Sequence, residues 1–143
     1  MKNKIATDLE QSKKLAEILP IESADMWIAE RYKGQVMENG HYIVEEKPSY
    51  YMSLIKPSNT NYSQDIVNDI PCWSLASLLA QLDETVTTDD DDFNLHIFVE
   101  NGGYYVQYDD NYEGKILVES GFQEYLMDAV YEVVLKLSEL KLL

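Results

Sequence analysis

The pair Asn101-Gly102, set between two runs of alternating apolar residues, constrains this chain more than any other feature. A two-residue hairpin turn of type I′ needs positive φ at both central positions, which Asn and Gly tolerate best. Seated as that turn, the pair sets Val99 opposite Tyr104, Ile97 opposite Val106 and Leu95 opposite Tyr108. Directly opposed residues share a face, so these six lie on one side of the ribbon. His96, Phe98, Tyr105 and Gln107 fall on the other.

That apolar face needs a cover, and the end of the chain supplies one. Ser120-Gly121-Phe122-Gln123 has the S-x-x-Q form of a capping box. Phe122, Tyr125, Leu126, Ala129, Val130, Val133, Val134, Leu137 and Leu140 follow at helical spacing. The result is one wide apolar stripe, which predicts a long helix lying across the ribbon.

Upstream, Thr7-Asp8-Leu9-Glu10 also reads as a capping box, opening a helix that carries Leu9, Leu15, Ala16, Ile18 and Leu19 and stops before Pro20. After the turn Glu22–Asp25, Met26–Ala29 and Tyr50–Ile55 read as strands. Asn39-Gly40 predicts a second hairpin, joining Gln35–Glu38 to His41–Glu45. Pro57–Asp69 reads as a loop. Ser74 is expected to cap a helix through Leu75, Leu78, Leu79 and Leu82, with Trp73 and Leu78 at the two positions of a hydrophobic staple. Thr85–Asp92 reads as an acidic loop, the most mobile segment. No linker or repeat interrupts the 143 residues. The expectation is one α+β domain over 1–143: an antiparallel sheet of about four strands, a long C-terminal helix packed on one face, and two shorter helices.

Charge narrows the choice of function. The chain has 26 acids against 11 bases and a net charge of −15. Between Lys56 and Lys115 there is no Lys or Arg, while 12 carboxylates fall there, including the run Asp89, Asp90, Asp91 and Asp92. Nucleic acid and anionic membranes are held by clustered cations, so neither is an expected partner. No apolar run approaches the ~18 residues of a membrane-spanning helix, and no export signal is evident, so the expected location is cytoplasmic.

Catalytic patterns are scarce. The single cysteine, Cys72, excludes an internal disulfide and a multi-cysteine metal site, and between Pro71 and Trp73 it reads as a small buried apolar residue. His41 and His96 have no metal-ligand spacing. The six glycines form no phosphate-binding pattern. Asp109, Asn111 and Glu113 stand at positions 1, 3 and 5 of a calcium-type loop, with Gly114 at 6. The twelfth position, which should carry a carboxylate, is Ser120, and a strand precedes the loop where a helix belongs. A polar turn is the plainer reading. No catalytic residue, metal site, cofactor or small-molecule ligand is expected.

The 11 tyrosines include Tyr50-Tyr51 and Tyr104-Tyr105. In each pair one ring is expected in the core and the other outside, because adjacent strand residues face opposite ways. Phe98 and Tyr105, with His96, would form an outer aromatic patch unless another element covers them, and exposed aromatic patches mark interfaces.

Three segments resemble small proteins encoded by phages and other mobile elements of gut anaerobes. They are Ile5–Leu15 running on to Ser23-Ala24-Asp25-Met26, Ile70–Leu75 with Leu78-Leu79, and Leu135–Leu143. The resemblance implies an accessory gene product and carries no reaction or site residues. Three functions stay open: a non-enzymatic accessory that binds a protein or self-associates, an acidic mimic of nucleic acid, and a small enzyme. The expected contact residues are His96, Phe98, Tyr105 and Asp89–Asp92.

Overall fold

The computed structural model describes residues 4–36, 39–44, 47–56 and 65–143. Its order is α1 (Leu9–Ala16), a 3-10 turn (Ile21–Ser23), β1 (Met26–Val36), β2 (Tyr42–Val44), β3 (Ser49–Ser53), β4 (Asp65–Cys72), α2 (Leu75–Leu79), β5 (Thr85–Thr87), β6 (Asp92–Glu100), β7 (Gly103–Asp109), β8 (Ile116–Glu119) and α3 (Leu126–Glu139). The fold is α+β, with antiparallel pairing throughout the described strands. In place of one sheet there are two, and the chain groups into two compact units, Asp8–Trp73 and Ser74–Leu143 with the segment up to Thr7. Among the described residues no helix is long and apolar enough to cross a membrane.

In the Asp8–Trp73 unit, α1 starts one residue later than its sequence suggests. Asp8 is the N-cap: its carboxylate accepts the Gln11 N–H at 2.9 Å, and the Gln11 side chain accepts the Asp8 N–H at 3.1 Å. Asp and Gln form the same reciprocal box as Thr and Glu, and Thr7 is buried instead. Leu15 and Leu19 are buried as expected, and α1 packs on β4.

Strand β1 is central. It pairs with β4 from Met26↔Cys72 to Lys33↔Asp65, with β3 from Trp27↔Ser53 to Arg31↔Ser49, and with β2 from Gly34↔Val44 to Val36↔Tyr42. Asp65–Asp69, read from composition as loop, therefore belongs to a strand, while Pro57–Gln64 lies outside the described residues. The pairing Val36↔Tyr42 also leaves a connection longer than the two-residue turn expected at Asn39-Gly40, although Gly40 does take φ +82°. The indole N–H of buried Trp73 donates to Ser23 Oγ at 2.9 Å, fixing the end of the unit against the 3-10 turn.

The second unit is the meander β5-β6-β7-β8 with α2 and α3. The β6–β7 register is the expected one, running from Asn94↔Asp109 to Glu100↔Gly103, with Asn101 at φ 55° and Gly102 at φ 75°. On the inner face Val86, Phe93, Val106, Tyr108 and Val118 are buried, and α3 covers β7 and β8 with Met127, Val130, Val133, Val134 and Leu137. The cover stops short of the ribbon tip, where Ile97 and Val99 stay exposed. Ser74 caps α2 by accepting the Ser77 N–H at 3.2 Å, though α2 ends at Leu79, short of Leu82. Thr85–Asp92 is ordered structure: Thr85–Thr87 pairs with β6, and Thr88 closes the turn onto Asp91.

The Ser120 capping box does not form, and α3 begins at Leu126. Ser120 Oγ accepts the Val106 N–H at 2.9 Å, Gly121 takes φ +67°, and Gln123 forms an isolated bridge with Tyr104. A strand backbone thus recruits the side chain that the local pattern assigns to a helix cap. The segment crosses β7 where Gly103 sits. A Cβ at Gly103 would lie 2.4 Å from the Phe122 ring and 2.7 Å from the Gln123 carbonyl oxygen. The ring can swing aside, but the carbonyl belongs to the bridge. Gly103→Ala is therefore expected to cost about 1–3 kcal/mol, the range for forced overpacking. Urea unfolding against wild type measures it, and an unchanged midpoint rules out the close approach.

Candidate functional site

Two regions of the Ser74–Leu143 unit and one of the Asp8–Trp73 unit concentrate chemistry. The first is the outer face of the β6–β7 ribbon. Register sets Phe98 opposite Tyr105 and His96 opposite Gln107. The His96 and Phe98 rings stack with centroids 6.1 Å apart, and Tyr105 meets the edge of Phe122 at 5.8 Å. So the predicted aromatic residues do come together, and the residue set against Tyr105 is Phe122, which the sequence pattern assigned to the helix stripe. His96 Nε2 lies 3.4 Å from Asp109 Oδ1 without a hydrogen bond.

Asp89–Asp92 stands apart from this patch. Asp92 opens β6 and Phe98 lies six positions on, about 20 Å away at the rise of an extended strand. The predicted contact residues therefore divide between an acidic end and an aromatic tip.

The second region is that acidic end. Thr85, Asp91, Asp92, Asn94, Asp110, Tyr112 and Glu113 line a concavity of about 580 Å³. Its carboxylates are largely engaged. Lys115 Nζ contacts Asp91 at 2.9 Å and Glu113 at 3.4 Å, and these partners, Asp91 first, hold the ammonium above its ordinary range. Buried Asp110 accepts the backbone N–H groups of Tyr112, Glu113 and Lys115 at 3.1–3.3 Å, which closes the loop. Asp109 accepts from Gln107 Nε2 and from the Asn111 N–H. Asp109 and Glu113 are thus engaged in turn closure and ion pairing, Asn111 joins the turn through its backbone N–H, and Asp110, which the calcium-loop numbering passes over, organises the loop. Among the described residues no group of three His, Cys, Asp or Glu side chains is arranged to hold a metal.

The third region lies on β1. Glu30 accepts from Tyr50 Oη at 2.9 Å and Asn68 Nδ2 at 3.0 Å, and Arg31 Nη2 donates to Tyr51 Oη at 2.7 Å with its guanidinium 4.9 Å from the ring centroid. Both Tyr50 and Tyr51 are exposed, against the expected split, because β3 is an edge strand with little packed on it. Sequence reading missed Glu30, since only the three-strand register aligns it with Tyr50 and Asn68. The two donors, Asn68 first, hold its carboxyl below the ordinary 4.5.

Cys72 is fully buried, and burial followed by the charge of Asp25 pushes its thiol up to about 11. A thiol that stays protonated near neutrality is a poor nucleophile. Tyr108 is similarly raised to about 12 by burial and Asp83, and its hydroxyl donates to the Asp83 carbonyl. No protein-family model, curated protein or solved structure matches this chain.

Two outcomes follow. Native protein at pH 8 should leave Cys72 unmodified by a thiol-specific chromogenic reagent and release one thiol per chain in denaturant; rapid native reaction would contradict its burial. A lowered folded-state pKa makes the Glu30 contribution complete above 4.5 and lost as pH falls through that lowered value. The stability gap between wild type and Glu30→Gln, read from urea midpoints, should stay constant near neutrality and close in acid. A gap that persists at pH 3 removes the role of the charge.

Proposed function

We propose that the chain is a non-enzymatic accessory protein that binds another protein through the tip of the β6–β7 ribbon. One observation carries this. Ile97, Phe98, Val99 and Phe122 are 42%, 41%, 59% and 45% exposed on a single ribbon end, with apolar groups on both of its faces. Leaving such a cluster in water forgoes the kind of burial that α3 supplies to β7 and β8, and patches of this kind mark interaction sites. The resemblance to phage and mobile-element accessory proteins, and action in the cytoplasm, accord with this reading.

The acidic concavity supports nucleic-acid mimicry less well. A mimic presents free carboxylates at regular spacing, whereas Asp91 and Glu113 pair with Lys115 and Asp110 is spent on backbone donors. An enzyme built on that concavity would draw its base or nucleophile from the lining carboxylates, of which Asp91, Asp110 and Glu113 are already engaged in ion pairing and loop closure.

The test is comparative affinity capture from the native host with wild type and a Phe98→Ser/Val99→Ser double variant, circular dichroism confirming that both fold alike. A protein retained by wild type and lost with the variant supports the reading. Equal recovery on both baits places the contact elsewhere.

A further inference from the structure

The ribbon tip offers hydrogen-bonding groups as well as apolar side chains. Glu100 and Gly103 flank a two-residue turn and form a hydrogen-bonded pair, so the even-numbered residues of β6 direct their N–H and C=O groups at β7. The odd-numbered residues direct theirs to the opposite edge. Strand β5 occupies that edge only as far as Asn94, and one further bond, from the Leu95 N–H to the Glu84 carbonyl at 2.9 Å, marks where it ends. Beyond it, the outward N–H and C=O groups of Ile97 and Val99 have no strand beside them among the described residues. An uncovered edge with apolar side chains is a template for another strand, and here only His96 and Glu100 interrupt its apolar character.

We infer that this edge of β6 accepts an extended segment of a partner protein in which aliphatic residues alternate with Lys or Arg. The inference rests on the ribbon tip being the binding surface and adds the mode of binding and the chemistry of the partner. Strand addition uses main-chain bonds for affinity and alternate side chains for specificity. Residues bonded to Ile97 and Val99 share their face, so aliphatic side chains belong there. Residues between them emerge on the other face, beside exposed Phe98 and Glu100, where an Arg meets an aromatic ring and a carboxylate. Exposed Asp83 and Glu84 stand at the near end of the open edge, and no Lys or Arg occurs between Lys56 and Lys115 to oppose a cationic strand. A net charge of −15 disfavours a second copy as the occupant.

The probe is an end-blocked heptapeptide of alternating arginine and valine, titrated into the full chain by calorimetry and compared with the same peptide N-methylated at its valine amides. N-methylation preserves the charge and deletes the donors that would meet β6. Binding of the parent peptide, weakened about tenfold or more by N-methylation, is expected. Ile97→Pro should weaken it at least comparably, since that amide lies outside the β6–β7 ladder and proline deletes the outward donor together with the isoleucine side chain. Glu100→Lys, which leaves every backbone donor in place, should weaken it as well. Equal affinity for the two peptides overturns strand addition, because charge alone would then account for binding. So does a wild-type dimer in light scattering that Ile97→Pro converts to monomer, which makes the occupant a second copy. If the N-methylated peptide binds like its parent while Phe98→Ser/Val99→Ser still loses the cellular partner, the ribbon surface stands and only the strand mode falls.

Discussion

The type I′ turn at Asn101-Gly102 governs the second unit. Both residues sit at positive φ, and the twist of that turn matches the twist of the strands it joins. One residue of slippage would exchange Val106 and Tyr108 for Tyr105 and Gln107 beneath α3. The buried face, the aromatic outer face and the direction of every β6 amide all follow from that register. The open edge at Ile97 and Val99 exists because the turn assigns the even positions to β7.

Packing then decides how much of this frame is used. Helix α3 reaches β7 and β8, and the ribbon extends beyond its cover. Segment Ser120–Tyr125 is drawn across β7 by Ser120 Oγ and the Gln123 bridge, held close by the missing side chain at Gly103. Phe122 is thereby set against Tyr105. The apolar tip is a consequence of these lengths: the strands outrun both the helix on one face and β5 on the edge.

Several polar groups among the described residues are consumed in building the fold. Asp110 gathers three backbone donors, Glu30 joins three strands, and the Cys72 thiol is held in its protonated form by burial. This distribution leaves the accessible surface with apolar groups, main-chain edges and excess negative charge. The proposed binding of another polypeptide draws on these groups.

Features set by residues within a few positions of one another were legible in the sequence. The β6–β7 register, the Ser74 cap and the apolar stripe of α3 from Leu126 onward depend on local φ, local hydrogen bonds and helical spacing. Features set by distant partners were not. Ser120 satisfies the capping pattern, yet Val106, fourteen positions earlier, claims its hydroxyl. Composition reads Asp65–Asp69 as loop, yet β1 recruits it as a strand. Alternation places Ile97 and Val99 on the buried face without revealing that the cover ends before them. A side chain records its own preferences and those of its neighbours, whereas burial and strand pairing belong to whatever the rest of the chain brings alongside.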